Sequence, residues 1–214
     1  MSGTGAAIHR IFQDRERKSL TAERTAALAA LAARARELNE AVVHTDLADE
    51  ELAEIGALLQ TLTDRLNGAR LEDPPYAGAP AEDGMFRQLA GPVTGRLNPI
   101  SPPCEVERLP DDSVRTEFTL NALYEGPPGL VHGGVSAMVL DQILGMAAEA
   151  GGSPGLTASL ELRYRRPTPH GEPLVAEACL DRVEGRRTYA TGRIRDAEGK
   201  VTVEATAMFI TPAR

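Results

Sequence analysis

The chain has 214 residues, of which 42% are hydrophobic and 25% charged, as in ordinary globular proteins. Its formal net charge of -8 and its 4% aromatic content, without tryptophan, argue against binding to nucleic acid or to an anionic membrane surface. The two cysteines, Cys104 and Cys179, are too few for a disulfide framework and favour a reducing compartment. Since no apolar run approaches about 18 residues and the start lacks a signal-like apolar stretch, we expect a cytoplasmic protein.

The first predicted unit is a pair of helices within residues 20–70, where proline is absent. Apolar residues recur there every three or four positions, which places them along one face of each helix. Thr45 or Asp46 is expected to cap the second helix, and Asn67-Gly68 to end it. Two such helices cannot bury both sides alone, so we expect them to pack on the main domain or on another subunit. The two apolar faces consist of Leu28, Leu31, Ala35, Leu38 and Val42, and of Leu52, Ile55, Leu59, Leu62 and Leu66.

Strand patterns dominate the second half of the chain. We divide the chain into a helical extension, residues 1–72, a Pro/Gly/Ala-rich linker, 73–85, and a main domain, 86–214. A β-hairpin is predicted at about 104–120, followed by strands at 156–166, 173–185, 187–196 and 201–210. The short turns "PTPHGE", "EGR" and "DAEGK" predict antiparallel neighbours.

One long apolar helix, predicted over residues 134–149, lies between the hairpin and the later strands. It is apolar on every side, which is typical of a buried helix. A long antiparallel sheet around one buried helix is an α+β arrangement, the hotdog architecture.

The start of this helix, "LVHGGVSAMVLDQILG", combines two features that suggest a site. Asp141 is a carboxylate in an apolar helix, where it needs a partner. His132, Gly133 and Gly134 stand at the helix N-terminus, where backbone N–H groups lack intrahelical acceptors and the dipole is positive. The alternatives are that Asp141 is a core residue satisfied by a backbone cap or an arginine, and that the glycines form a plain turn into the helix. Together, the features predict an oxyanion hole beside a nucleophile or general base.

Helix geometry adds a condition on this site. Gly133 and Asp141 are eight residues apart, which is about 12 Å along a helix, so both cannot act on one carbonyl. A second, antiparallel copy of the helix would bring its Asp141 to this Gly133 and create two equal sites. We therefore expect a homo-oligomer, a dimer or a dimer of dimers.

The segments "GLVHGGVSAMVLDQILG" and "LTASLELRYRRPTP" together resemble the PaaI-type acyl-CoA thioesterases of the hotdog superfamily, including their THEM-type relatives. "GRLNPISPP" is similar to a segment of some members. The resemblance covers about residues 86–213 and implies that 86–214 is a hotdog thioesterase domain. It also implies an acyl-CoA substrate and no cofactor, coenzyme A being part of the substrate. The scattered histidines likewise predict no metal site.

The resemblance further implies roles for particular residues. Gly133 would donate its N–H to the thioester oxygen, with Gly134 allowing the approach. The partner's Asp141 would attack the carbonyl or activate a water, while His132 orients the thioester or a water. Thr157 would help to position that water, or it is an ordinary strand residue. The arginines that would meet the coenzyme A phosphates, or remain solvated, are Arg163, Arg165 and Arg166.

Two other functions are consistent with the pattern. A hotdog hydratase or dehydratase would use a histidine close to the acid, and none lies within a turn after Asp141. A non-catalytic acyl-CoA-binding or scaffold protein is the other alternative. The acyl carrier is coenzyme A or acyl carrier protein.

Overall fold

The computed structural model describes residues 20–75, 85, 88–102 and 104–212, and it begins with the two predicted helices. Helix α1 is Ala22–His44 and helix α2 is Asp49–Asn67. Thr21 caps α1, because its Oγ1 accepts the Arg24 N–H at 3.2 Å. The predicted cap of α2 is wrong: the cap position is Ala48, and no side chain bonds there. The first turn of the helix instead contains three acidic residues, 49–51, which interact favourably with the positive end of the helix dipole. Gly68 ends the helix, as expected.

The two helices differ in how they pack. Helix α1 contacts the main domain through its alanine-rich side: Ala32 is buried, and Arg36 Nη1 donates to the Asn98 carbonyl at 3.0 Å. It also contacts the short 3-10 helix Ala122–Tyr124. By contrast, α2 has no buried residue. The expectation of packing on the main domain is therefore met by α1 alone.

The main domain is a six-stranded antiparallel sheet with one helix, α3, against it. The predicted hotdog fold is confirmed, and α3 runs from Gly133 to Ala150, one residue longer at each end than predicted. The strand order is β1-β2-β4-β5-β6-β3. The strands are β1 Glu107–Arg108, β2 Val114–Thr119, β3 Leu156–Tyr164, β4 Pro173–Glu184, β5 Arg187–Arg195 and β6 Val201–Ile210.

The core lies between α3 and the sheet. Leu140, Ile143 and Leu144 of α3 are fully buried, as are Leu174 and Ile194 of the sheet. Each such side chain contributes about 1.5–3 kcal/mol by leaving water. The expectation that α3 is buried all round is wrong on one side. A half-buried stripe remains there: Ala137, Met138, Asp141, Gln142 and Gly145.

The sheet departs from the expected pairing at β3. The short turn after β3 suggested that it neighbours β4, but β3 pairs with β6 at the far edge of the sheet. Residues 165–172 instead cross the end of the sheet, where Val131 N–H donates to Thr168 O at 2.9 Å and Gly171 N–H to Leu120 O at 2.7 Å. This crossing segment binds the chain just before α3, and it leaves β3 with only one strand beside it in the part of the chain described.

No helix within the described ranges is both long and apolar enough to span a lipid bilayer.

The predicted linker lies largely outside the described residues, since 76–84, 86 and 87 belong to it or adjoin it.

Candidate active site

The N-terminus of α3 is capped by its own histidine. His132 has extended backbone geometry, and its Nδ1 accepts the Gly134 N–H at 3.0 Å. An accepting Nδ1 places the ring proton of the neutral imidazole on Nε2. The His132 N–H donates to the Tyr124 carbonyl at 2.9 Å, which fixes the residue to the preceding 3-10 helix. His132 and Gly134 therefore shape the first turn, and both are exposed.

Gly133 presents the one N–H of this turn that the cap does not use. Its N–H has no acceptor in residues 20–75, 85, 88–102 and 104–212, whereas the N–H groups of the next two residues bond to His132. Tyr164 Oη donates to the Gly133 carbonyl at 2.9 Å. A Cβ at position 133 would lie 3.2 Å from that phenol oxygen, a tight contact that a larger residue could make only if the Tyr164 side chain shifted.

Gly133 lines a cavity of about 380 Å³ together with the end of β3 and the crossing segment. Arg165 and Arg166 line the same cavity, so the sequence-predicted glycine and two of the three predicted arginines lie together. Arg165 pairs with Glu204 at 2.8 Å, and Arg166 Nη1 donates to the Val201 carbonyl at 2.9 Å. These bonds hold both guanidinium groups at the rim while leaving other N–H donors for an anion.

Arg163 does not share this location. It pairs with Glu161 on the exposed face of β3, at 3.3 Å, and the cavity lining does not include it. The structure therefore divides the basic run "RYRR" into two arginines at the cavity and one on the open sheet surface.

Asp141 lies elsewhere along α3 and has a partner in its own chain. Thr157 Oγ1, at the start of β3, donates to Asp141 Oδ1 at 3.0 Å. The carboxylate is half-buried, not fully buried as its position in an apolar helix suggested, because it belongs to the incompletely covered side of α3. The hydrogen bond fixes one carboxylate oxygen and leaves the other available to a reactant. The carboxylate and hydroxyl thus form one unit that joins the helix to the edge strand.

The two halves of the predicted site are separate within one protomer. Gly133 and Asp141 are two turns apart on a straight helix, about 12 Å, and the cavity at Gly133 is not lined by Asp141. One chain therefore holds an N–H donor with two arginines at one end of α3, and a carboxylate with a hydroxyl near its middle.

Two residues at the cavity were not identified from the sequence. Ser136 lies one turn after Gly133, is 1% exposed as a residue, and lines the cavity. Tyr164 was included only in the segment "LTASLELRYRRPTP", without a role of its own. Their spacing carried a signal: Ser136 shares the helix face of Gly133 at i+3, and Tyr164 ends the strand that leads to the two arginines.

No group of three or more metal-ligating side chains occurs among the residues that the structure describes. The prediction of a metal-free and cofactor-free site stays a prediction.

Comparison with known proteins agrees with this fold. The family model described as "Thioesterase superfamily" matches residues 128–214. A crystal structure described as a thioesterase superfamily protein is 38% identical, with a TM-score of 0.76, over 86% of this chain and 94% of that chain. The chain belongs to the thioesterase superfamily. Because the main domain is only about three-fifths of the chain, the likeness to that structure extends into the N-terminal helices.

Curated relatives match a smaller part of the chain. Acyl-coenzyme A thioesterase THEM4 of Xenopus laevis is 34% identical over 87 residues, which are 40% of this chain and 39% of that protein. THEM4 of Bos taurus is 36% identical over 87 residues, which are 40% of this chain and 35% of that protein. The chain thus spans less than two-fifths of the length of these relatives.

Proposed function

We propose that this member of the thioesterase superfamily hydrolyses acyl-CoA thioesters to the free acid and coenzyme A. The observation that carries the proposal is the Gly133 N–H, which lacks an acceptor within the described residues and belongs to a residue lining a cavity with Arg165 and Arg166. A thioester oxygen would accept this N–H, which stabilises the negative charge that develops there. The arginines suit the phosphates of coenzyme A, and the names of the THEM4 relatives agree with that substrate.

The proposed catalytic carboxylate comes from a second subunit. Asp141 is too far along α3 to reach a thioester held at Gly133 of its own chain. The single-sided pairing of β3 and the half-buried stripe on α3 support a two-fold homodimer, in which the partner's Asp141 lies beside Gly133. Such a dimer contains two equal sites. A dimer of two dimers would keep the same sites.

The reaction requires one addition and one elimination at the carbonyl carbon. As a general base, Asp141 takes a proton from water while the water oxygen adds to that carbon; the C–S bond then breaks and coenzyme A leaves as the thiolate. As a nucleophile, Asp141 itself adds, coenzyme A leaves, and water hydrolyses the mixed anhydride. In both routes Thr157 holds the carboxylate, while His132 shapes the donor turn and faces solvent near the substrate.

The proposal is tested by an acyl-CoA panel assayed for thiol release with the Asp141→Ala variant beside the wild type. We expect kcat of the variant to fall by about 10²–10⁴, which is the typical cost of losing a general base. Gln142→Ala, a change at the adjacent half-buried position, serves as the control and should retain activity. In sedimentation, both variants should form an oligomer of the same mass as the wild type.

Three results would each contradict a different part of the proposal. Unchanged turnover by Asp141→Ala would remove this residue from the mechanism. A wild-type chain that binds acyl-CoA but releases no thiol from any member of the panel would instead be the non-catalytic binder. Release from acyl carrier protein substrates alone would change the carrier. We also propose a cytoplasmic location, which the two unpaired cysteines support.

A further inference from the structure

The N-terminal helices leave a large apolar surface uncovered. Eleven of the fifteen large apolar side chains that are exposed in the described residues belong to residues 20–75, a quarter of the chain. Leu58, Leu62 and Leu66 of α2 are 65%, 56% and 59% exposed. The helices flank a groove of about 1090 Å³, to which α1 contributes Leu28, Leu31 and Leu38. We call this groove, with the leucines of α2, the hairpin groove.

The stability of α2 and the size of the exposed apolar surface both indicate that another protein surface covers the hairpin groove. An isolated helix of 19 residues is marginally stable in water, and α2 buries none of its residues. Monomeric proteins rarely expose more than a few hundred Å² of continuous apolar surface. Seven of the eleven belong to the hairpin groove: Leu31, Leu38, Leu52, Leu58, Leu62, Leu66 and Leu71. With roughly 90 Å² exposed on each, they present on the order of 600 Å², against about 800 Å² per partner in a standard stable interface.

The charges of α2 indicate which occupant fits. Its N-terminal turns carry the carboxylates of residues 49, 50, 51 and 54, and its C-terminal end carries Arg65, with Arg70 just beyond. Asp64 also lies at this end, where it accepts from Gln60 Nε2 of the same helix at 2.9 Å. None of these seven charged groups forms an ion pair with another described residue. Glu51, Leu58 and Arg65 follow one another at intervals of seven, so they lie on one stripe beside the apolar seam. Leu58 is the midpoint of the helix. In an antiparallel pair of α2 helices crossing there, Glu51 of each copy faces Arg65 of the other.

We propose that the hairpin groove is a homotypic interface, in which α2 packs antiparallel on the α2 of a second copy of this chain. The surface is self-complementary in both respects that a two-fold contact needs: apolar residues occupy its centre, and opposite charges its two ends. With five carboxylates and one arginine in α2, an anionic lipid surface is a poor alternative. This contact is separate from the proposed catalytic dimer and does not depend on it.

The test uses the full chain, with sedimentation for mass and hydrogen exchange for the backbone amides of α2. In the wild type, α2 amides are expected to be protected at high concentration and to lose protection on dilution. Leu62→Glu places a charge in the seam and should weaken association about tenfold or more. Since Leu62 is 56% exposed, the change leaves the protomer fold intact, which far-ultraviolet circular dichroism checks. Val183→Glu, at a 46% exposed apolar position outside the groove, is the matched control and should change neither measurement.

A charge exchange provides the second arm of the test. Glu51→Arg and Arg65→Glu should each weaken association several-fold, because each leaves like charges opposed twice across a two-fold axis. The double variant restores opposite charges and should recover most of the wild-type association. Fast exchange of α2 amides while the chain is associated would refute the interface. Protection that is independent of concentration and of these variants would also refute it, since the occupant would then be part of the same chain. If the double variant does not recover association, the antiparallel arrangement is refuted.

Discussion

The hydrogen bond between Thr157 and Asp141 can be tested through its effect on the rate. Thr157→Val keeps the shape of the side chain and removes only the donor to Asp141 Oδ1, at 3.0 Å. A hydrogen bond to a charged group is worth about 1.5–3 kcal/mol, and an exposed hydroxyl such as this one belongs at the lower end of that range. About 1.4 kcal/mol corresponds to a tenfold change in rate. We therefore expect kcat for acyl-CoA hydrolysis to fall about tenfold.

The same reasoning predicts which kinetic constant changes. Thr157 bonds to the carboxylate and does not line the cavity at Gly133, so KM should stay within about twofold while kcat falls. Thr157→Ser keeps the donor and should retain most of the activity. Release of coenzyme A is followed with a thiol reagent in a Cys179→Ser background, because Cys179 is exposed and would react itself. Equal activity of the valine and wild-type proteins, or equal losses in the valine and serine variants, would refute the positioning role.

Three further predictions concern the cavity, the core and the buried thiol. Arg166→Ala should raise KM for acyl-CoA about fivefold or more but leave KM for a short pantetheine thioester unchanged. Arg163→Ala should alter neither KM value. Steady-state kinetics measures both. Gly145→Ala should stabilise α3 by about 0.5–1 kcal/mol, since the new Cβ meets only Phe209 ring atoms at 3.6 Å or more. Gly192→Ala should destabilise the fold by about 1–3 kcal/mol because its Cβ would lie 2.9 Å from a backbone oxygen; thermal unfolding compares the two. Burial raises the pKa of the Cys104 thiol to about 12, so at pH 8 only about one in 10⁴ of these thiols is ionised. A thiol reagent should therefore react with one thiol per native chain, the exposed Cys179, and with two after unfolding.

Much of the fold could be predicted because the local patterns and the final structure agree. Strand patterns, short turns and one apolar helix led to the hotdog arrangement, with α3 one residue longer at each end than expected. The position of β3 could not be predicted in this way. A turn of six residues favours pairing between β3 and β4, but the crossing segment bonds instead to residues 120 and 131, which lie far away in the sequence. Long-range pairing of this kind leaves no local signal.

The candidate site shows the same division. Gly133 and Asp141 were identifiable because a glycine at a helix start and a carboxylate in an apolar helix are each unusual. Tyr164 and Ser136 were not, since a tyrosine in a strand and a serine in a helix are common. Only the folded chain brings Tyr164 Oη to the Gly133 carbonyl. The degree of burial of Asp141 was also overestimated, because the pattern could not show that one side of α3 lacks a cover within the chain.

The crossing segment has a consequence for which substrates fit. It carries Arg166, and it is bonded through Thr168 to Val131, two residues before Gly133. The point where a thioester oxygen would bind and the point where a phosphate would bind thus belong to two backbone segments that are joined by this hydrogen bond. When a substrate binds at both points, the distance between them limits the length of the pantetheine arm that fits. A thioester on a shorter or longer arm could reach one end but not both, so the protein would select its substrates by the length of the carrier before the acyl group is considered.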